Sequence, residues 1–181
     1  MELKLIHFYP DLMSLYGSYA NVAVLKRHLE ALGNSVTVET IAPGAAEAEL
    51  VNPDFIFMGA GTERAQKAAL SDFIRYKSAI QSAADNGIAM LFAGTSMELL
   101  GKSITDDAGT EYSGIGLAGF TSVQGKKRFV EDVFGTTDLY PEPMVGFINK
   151  CSVISGVESP LLTSVQLGYG NKGLKTPEGF R

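Results

Sequence analysis

Two short apolar runs, each closing in small residues before a helix-like segment, narrow what this chain can fold into. After Pro53 comes Asp54-Phe55-Ile56-Phe57-Met58, which enters Gly59-Ala60-Gly61-Thr62. Later, Ile88 to Ala93 enters Gly94-Thr95-Ser96. A strand apolar at successive positions has no face to offer water, so it needs cover on both sides, as in a parallel sheet between helices. The segments around these runs agree. Leu3, Leu5 and Phe8 form a short strand ending at Pro10. Ser18 is placed to cap a helix carrying Val22, Leu25, Leu29 and Leu32, closed by Gly33. Ser35 to Thr40 alternates as a strand, and Pro43-Gly44 breaks it. Thr62 opens one long helix to about Asn86, with Gly87 past its end. The expected fold is α/β, a mostly parallel sheet with helices on both faces. From Gly101 on, the texture becomes strand-rich, with short runs near 115–123, 128–134, 144–154 and 161–169. These strands are expected to extend the sheet or to form an antiparallel flap. No linker stands out, so residues 1–181 read as a single domain.

Composition closes off several functions. Fifteen basic against twenty acidic residues give a net charge of −5, which does not recommend nucleic acid or an anionic membrane as partner. One cysteine allows no internal disulfide, and a reducing cytoplasm is the expected location. No apolar run reaches the ~18 residues of a membrane span, and the first ten residues do not read as a signal peptide. No pair of histidines or carboxylates has metal-ligand spacing, so neither metal nor cofactor is expected.

In open α/β sheets ligands bind beyond the carboxyl ends of the strands. Two such ends carry the candidate site. In Gly59 to Arg64, small residues permit close approach and the next helix presents free N–H groups to an anion or oxyanion. The glycine spacing is neither a dinucleotide fingerprint nor a P-loop. In Ala93 to Gly101 a buried strand turns abruptly into a helix, the geometry of a nucleophile elbow. Such an elbow needs Ser, Cys or Thr at its tip and a base nearby. Here the tip is Gly94. Thr95 and Ser96 stand next to it, with a plain turn or helix-cap role as the simpler reading. Cys151 reads as a small, partly buried residue, His7 as a strand-end residue with a local hydrogen bond, and His28 as an exposed helix position.

Several segments together resemble a family. His7-Phe8, Leu15-Tyr16 and Asn21 at the start, Met58 to Gln66, Leu99-Leu100-Gly101, Val145-Gly146-Phe147 and Gly168-Tyr169-Gly170-Asn171 occur in matching order and spacing. The chain resembles the class I, triad-type glutamine amidotransferases of the cobyric acid synthase group, and within them the glutaminase subunits of lipid II isoglutaminyl synthases. The resemblance implies an elbow cysteine that attacks the glutamine amide, a histidine near the C-terminus, and backbone N–H groups holding the oxyanion. It also implies an ATP-dependent, Mur-ligase-like partner that uses the ammonia in peptidoglycan stem-peptide amidation.

The departures fall on that chemistry. The family's elbow reads Cys-Gly-Gly-Tyr-Gln-Leu-Leu-Gly; here the cysteine position is Gly94, followed by Thr95, Ser96, Met97 and Glu98. The resemblance places Ala60, Gly61, Thr62, Thr95 and Glu98 around the oxyanion and substrate pocket. A carboxylate at Glu98 in place of glutamine would repel the substrate carboxylate. The family's glycine triplet is Gly59-Ala60-Gly61, and its first-loop acid is Ser18. Its Glu-Asn-His-Gly-Gly segment is Ile148 to Ser152. Only His7 and His28 occur, both in the first half, so the C-terminal histidine has no counterpart up to Arg181. Three readings follow: an amidotransferase-like subunit that is catalytically impaired, an active glutaminase serving a Mur-ligase-like partner, or a sensor of glutamine or another small carboxylate. In the last, Arg64 and Arg128 are the candidate anion contacts.

Overall fold

The apolar run after Pro53 becomes strand β3 (Phe55–Met58), and the run before Gly94 becomes β4 (Ala89–Phe92). With β1 (Glu2–Phe8) and β2 (Ser35–Ile41) they build a parallel sheet in the order β2-β1-β3-β4. The computed structural model describes residues 1–46 and 50–181. These fall into two compact units, 1–96 and 97–181.

In the first unit each helix covers its own face of the sheet. Helix α1 (Tyr19–Ala31) buries Val22 against Leu5, Val36 and Phe57, with Leu25 and Leu29 packed alongside. On the opposite face the Phe8 ring meets Phe73 and Tyr76 edge-on, at 5.2 and 5.1 Å between centroids. Edge-to-face rings of this kind add to the gain from burial itself. The expected long helix is two helices. α2 (Glu63–Phe73) and α3 (Lys77–Asp85) are joined by a 3-10 turn, Ile74–Tyr76. The tighter winding brings residues three apart into line. It sets Phe73 and Tyr76 together under Phe8, both fully buried. Thr62 caps α2 as its sequence suggests, its hydroxyl accepting from the Ala65 N–H at 3.1 Å.

Two expectations change here. Ser18 does not cap α1 with its side chain. Its hydroxyl donates to the Leu15 carbonyl at 2.7 Å and accepts from the Ala60 N–H at 3.2 Å. His7 is not at a local hydrogen-bonding strand end either. It is buried within β1, its ring lies against Phe57 at 5.2 Å, and its Nε2 finds no partner among the described residues. Burial holds the imidazole below its usual pKa, opposed by the nearby Asp11 charge.

The strand-rich half does not extend the first sheet. It makes a mixed sheet of its own in the second unit, β6-β5-β7-β8 with β9 also paired to β7. The elements are β5 (Ser103–Thr105), β6 (Glu111–Ser113), β7 (Thr121–Thr136), β8 (Met144–Ser155) and β9 (Ser164–Leu167). The long β7–β8 ribbon is antiparallel and carries a bulge between Gln124 and Phe129. Val133, Ile148, Leu162 and Val165 form its packed side. Of the expected run at 115–123 only 121–123 is strand, the start of β7; the chain before it bonds back, the Ile115 N–H donating to the Leu99 carbonyl and the Ala118 N–H to that of Leu100.

Candidate functional site

At the end of β3 the chain turns through Gly59, Ala60 and Gly61 with almost no room. A Cβ on Gly59 would lie 2.5 Å from Ser18 Cβ, and one on Gly61 would lie 2.5 Å from Met13 Sδ. Neither position accepts a side chain, because real Cβ atoms do not come within 3 Å of such neighbours. Ala60 is the one residue of the triplet that carries a methyl group. Its carbonyl accepts from the Leu15 N–H at 2.9 Å, and its own N–H donates to Ser18 Oγ.

At the end of β4 the elbow forms as the sequence indicates. Gly94 has φ +60°, a conformation that a Cβ disfavours and that glycine adopts freely. The short helix α4 (Thr95–Glu98) follows at once. Gly94 is exposed, at the tip where a nucleophile would stand, but it has no side chain to present. A Cβ built there would lie 3.0 Å from Ala60 Cβ. A side chain at position 94 would therefore press on the Ala60 methyl, which would have to give by a few tenths of an ångström.

Hydroxyl groups tie the two turns together. Thr95 Oγ1 accepts from the Gly61 N–H at 3.0 Å and donates to the Gly61 carbonyl at 2.9 Å. The buried Gln66 of α2 donates through Nε2 to the Thr95 carbonyl at 2.8 Å. Ser96 is fully buried, and its hydroxyl lies 2.9 Å from both the Met58 and the Ala93 carbonyls. Both candidate hydroxyl nucleophiles thus direct their protons at backbone carbonyls. The N–H groups of Ala60 and Gly61 are occupied by Ser18 and Thr95.

The structure brings together Ala60, Gly61, Gly94 and Thr95, and sets Thr62 at the head of α2. Of the other candidates, Arg64 belongs to the first unit and Glu98 and Arg128 to the second. Arg64 is exposed on the first turn of α2. Glu98 is buried in the second unit, where its carboxylate accepts from Ser122 Oγ at 2.5 Å and Ser152 Oγ at 2.6 Å. Those two serines belong to β7 and β8, so Glu98 ties the ribbon's two strands rather than meeting a ligand with a free oxygen. Arg128 is exposed on β7 and donates from Nη1 to Asn149 Oδ1 at 3.0 Å. Cys151 is half-buried and forms no disulfide, and its Sγ lies 3.9 Å from Arg128 Nη2. Near Glu98, the Glu178 carboxyl is pushed above its usual pKa by burial, opposed by its ion pair with Lys150 at 2.8 Å. Among the described residues no three His, Cys, Asp or Glu side chains are grouped to hold a metal, and no helix is long and apolar enough to cross a membrane.

Sequence reasoning missed Ser18 as a positioning residue of the 59–61 loop, and placed Gln66 in a matching segment without assigning it a contact. Ser18 and Ala60 are separated by 42 residues, and no local spacing signals such a contact.

A strand-turn-helix elbow beside a glycine loop, on a parallel sheet, is the framework of the class I glutamine amidotransferases. The chain belongs to the CobB/CobQ-like glutamine amidotransferase domain family, whose profile matches residues 4–181. It is 29% identical over 182 residues to the lipid II isoglutaminyl synthase (glutamine-hydrolyzing) subunit GatD of Streptococcus pneumoniae, covering 98% of this chain and 69% of that protein. Against GatD of Staphylococcus aureus the identity is 26% over 180 residues, covering 99% of this chain and 72% of the relative. A chain of the Thermotoga maritima PurLQS structure superposes with a TM-score of 0.52 at 13% identity, over 98% of this chain and 88% of that one, which shows a shared fold.

Proposed function

We propose that this protein is an amidotransferase-like subunit that no longer hydrolyses glutamine and serves a ligase-type partner as a binding or structural component. The observation that carries the reading is the glycine at the elbow tip. Glutamine hydrolysis in this family proceeds through a covalent thioester, and Gly94 has no atom with which to form one. Two further features support it. A side chain at 94 would press on the Ala60 methyl, 3.0 Å from its Cβ. The loop N–H groups that would stabilise an oxyanion are held by Ser18 and Thr95. An oxyanion hole acts through donors left free for the transition state, so filled donors contribute nothing to catalysis.

The relatives are named as subunits of lipid II isoglutaminyl synthase. By that likeness the partner is an ATP-dependent, Mur-ligase-like enzyme of peptidoglycan stem-peptide amidation. It would draw on free ammonia or depend on this subunit for its shape. The expected location is the cytoplasm, as a heterodimer in one glutamine amidotransferase-like domain. An active glutaminase on this frame would need Thr95 or Ser96 as nucleophile, and each hydroxyl already serves a backbone carbonyl. A carboxylate sensor would need free N–H donors in the 59–61 loop, and the hydroxyls of Ser18 and Thr95 occupy those of Ala60 and Gly61.

The test is glutamate release from glutamine by the full protein, co-expressed with its ligase partner. Release at the level of a reagent blank, with the two proteins co-purifying, is the expected result. Release at the rate of an enzyme ends the proposal. In that case Thr95→Ala and Ser96→Ala identify whether either hydroxyl is responsible.

A further inference from the structure

The outer face of the second unit's sheet is apolar where a water-facing antiparallel ribbon is ordinarily polar. Along β8 the residues alternate. Ile148, Ser152 and Ile154 are buried, while Val145, Phe147, Asn149, Cys151 and Val153 share the other side. Val145 and Phe147 are 78% and 61% exposed, Val130 of β7 is 62% exposed, and Leu167 of β9 is 57% exposed. Register gathers these on one face. Val130 pairs with Asn149, Asp132 with Phe147, and Phe134 with both Val145 and Leu167. Arg128 belongs to the same face, since its guanidinium reaches the Asn149 side chain. Contiguous exposed apolar residues with a polar rim mark a surface meant to be covered.

The arrangement of this face is twofold about one level. On β8 the row reads Val145, Phe147, Asn149, Cys151, Val153, with apolar pairs on either side of Asn149. On β7, level with Asn149, Val130 has Arg128 two residues to one side and Asp132 two residues to the other. A twofold axis lying in the contact plane, and crossing both strands at the level of Val130 and Asn149, reverses each strand over itself. It lays Val145 over Val153 of the second copy, and Phe147 over Cys151. The same operation lays Arg128 over Asp132 and Asp132 over Arg128. A twofold along the strands would instead lay β7 over β8 of the second copy, where Arg128 and Asp132 face Cys151 and Phe147, so the charges favour the crossing axis. We propose that this face docks a second copy of the chain in an isologous dimer, with the β7–β8 ribbons stacked antiparallel. A single symmetry operation that matches both the apolar row and the charges is what a self-complementary interface requires. It is not what an unrelated partner would need.

Sedimentation velocity on the full chain, from low to several hundred micromolar, reads the association directly. The expected result is a monomer that converts to dimer as concentration rises. Arg128→Asp and Asp132→Arg each set like charges across the axis, and each is expected to weaken the dimer by roughly tenfold or more. The double variant, Arg128→Asp with Asp132→Arg, exchanges the charges and restores the dimer. Both positions are exposed, so folding is retained and is checked by circular dichroism. Phe147→Ser weakens the dimer without touching either charge. A protein that stays monomeric over the whole range overturns the proposal and leaves the face to another occupant. So does a double variant that stays as weak as the folded single variants.

Discussion

Restoring a thiol at the elbow is the sharpest test of how the site is built. Gly94→Cys forces a side chain onto a backbone with φ +60°. For an L-residue that conformation costs roughly 1–2 kcal/mol. The new Cβ would also stand 3.0 Å from Ala60 Cβ, closer than ordinary packing allows. Overpacking of this kind costs about 1–3 kcal/mol. The sum is a loss of about 2–5 kcal/mol, or roughly 4–20 °C in Tm at 2–4 °C per kcal/mol for a protein of this size. Ala60→Gly removes the methyl in the way, so the contact contribution vanishes when both changes are made. A double-mutant cycle over wild type, Gly94→Cys, Ala60→Gly and the pair is then expected to show a coupling of about 1–3 kcal/mol. The assay is urea unfolding of all four proteins. Additive effects, or a Gly94→Cys protein as stable as wild type, would refute the claim that a side chain at 94 presses on Ala60. The paired variant is also expected to release no glutamate, since the Gly61 N–H remains bound to Thr95.

Other perturbations reach different parts of the two units. Thr95→Val strands the buried N–H and carbonyl of Gly61 and is expected to cost about 1–3 kcal/mol, whereas Thr95→Ser keeps both bonds; hydrogen exchange at the Gly61 amide and urea unfolding report the difference. Glu98→Gln replaces a carboxylate that accepts from two serine hydroxyls, and a loss of about 1.5–3 kcal/mol is expected; unchanged stability would show that Ser122 and Ser152 gain nothing from the charge. His7 is held below its usual pKa of 6.5. Its folded form therefore binds fewer protons than the unfolded chain in acid, so stability falls as pH drops from about 6.5 toward the lower folded value. His7→Leu is expected to remove that slope, and urea midpoints measured from pH 5 to 8 check it.

The parts of the fold that were readable in the sequence are those where one local signal suffices. Apolar runs ending at Gly59 and Gly94 announce parallel strands and their turns, and Thr62 announces a helix cap; β3 is buried as expected, but β4 is an edge strand and Leu91 is 46% exposed. The glycine at the elbow tip was visible from Leu99-Leu100-Gly101, which fixes the alignment. What was not readable depends on partners far along the chain. Thr95 meets Gly61 across 34 residues and Ser18 meets Ala60 across 42, and a hydroxyl gives no periodic sign of where it will bond. Glu98 looks like a substrate-facing charge because it follows the elbow, yet Ser122 and Ser152 draw it into the ribbon. β5 and β6 hold three residues each, too few for alternation to register. The break between α2 and α3 escapes detection because both halves carry the same helical spacing, and only the aromatic cluster under Phe8 calls for the tighter turn.

The close approach of Ala60 to position 94 makes the change at the elbow a ratchet. Glycine keeps the sharp turn without strain, so the backbone shape survives the loss of the side chain that once justified it. With a methyl group at position 60, reversion at 94 alone meets both an unfavourable backbone and a crowded neighbour. Giving up the methyl first eases the return of a thiol, but that step by itself brings no activity. Selection for catalysis cannot see that first step, so the geometry of two neighbouring turns weighs against a thiol at the elbow.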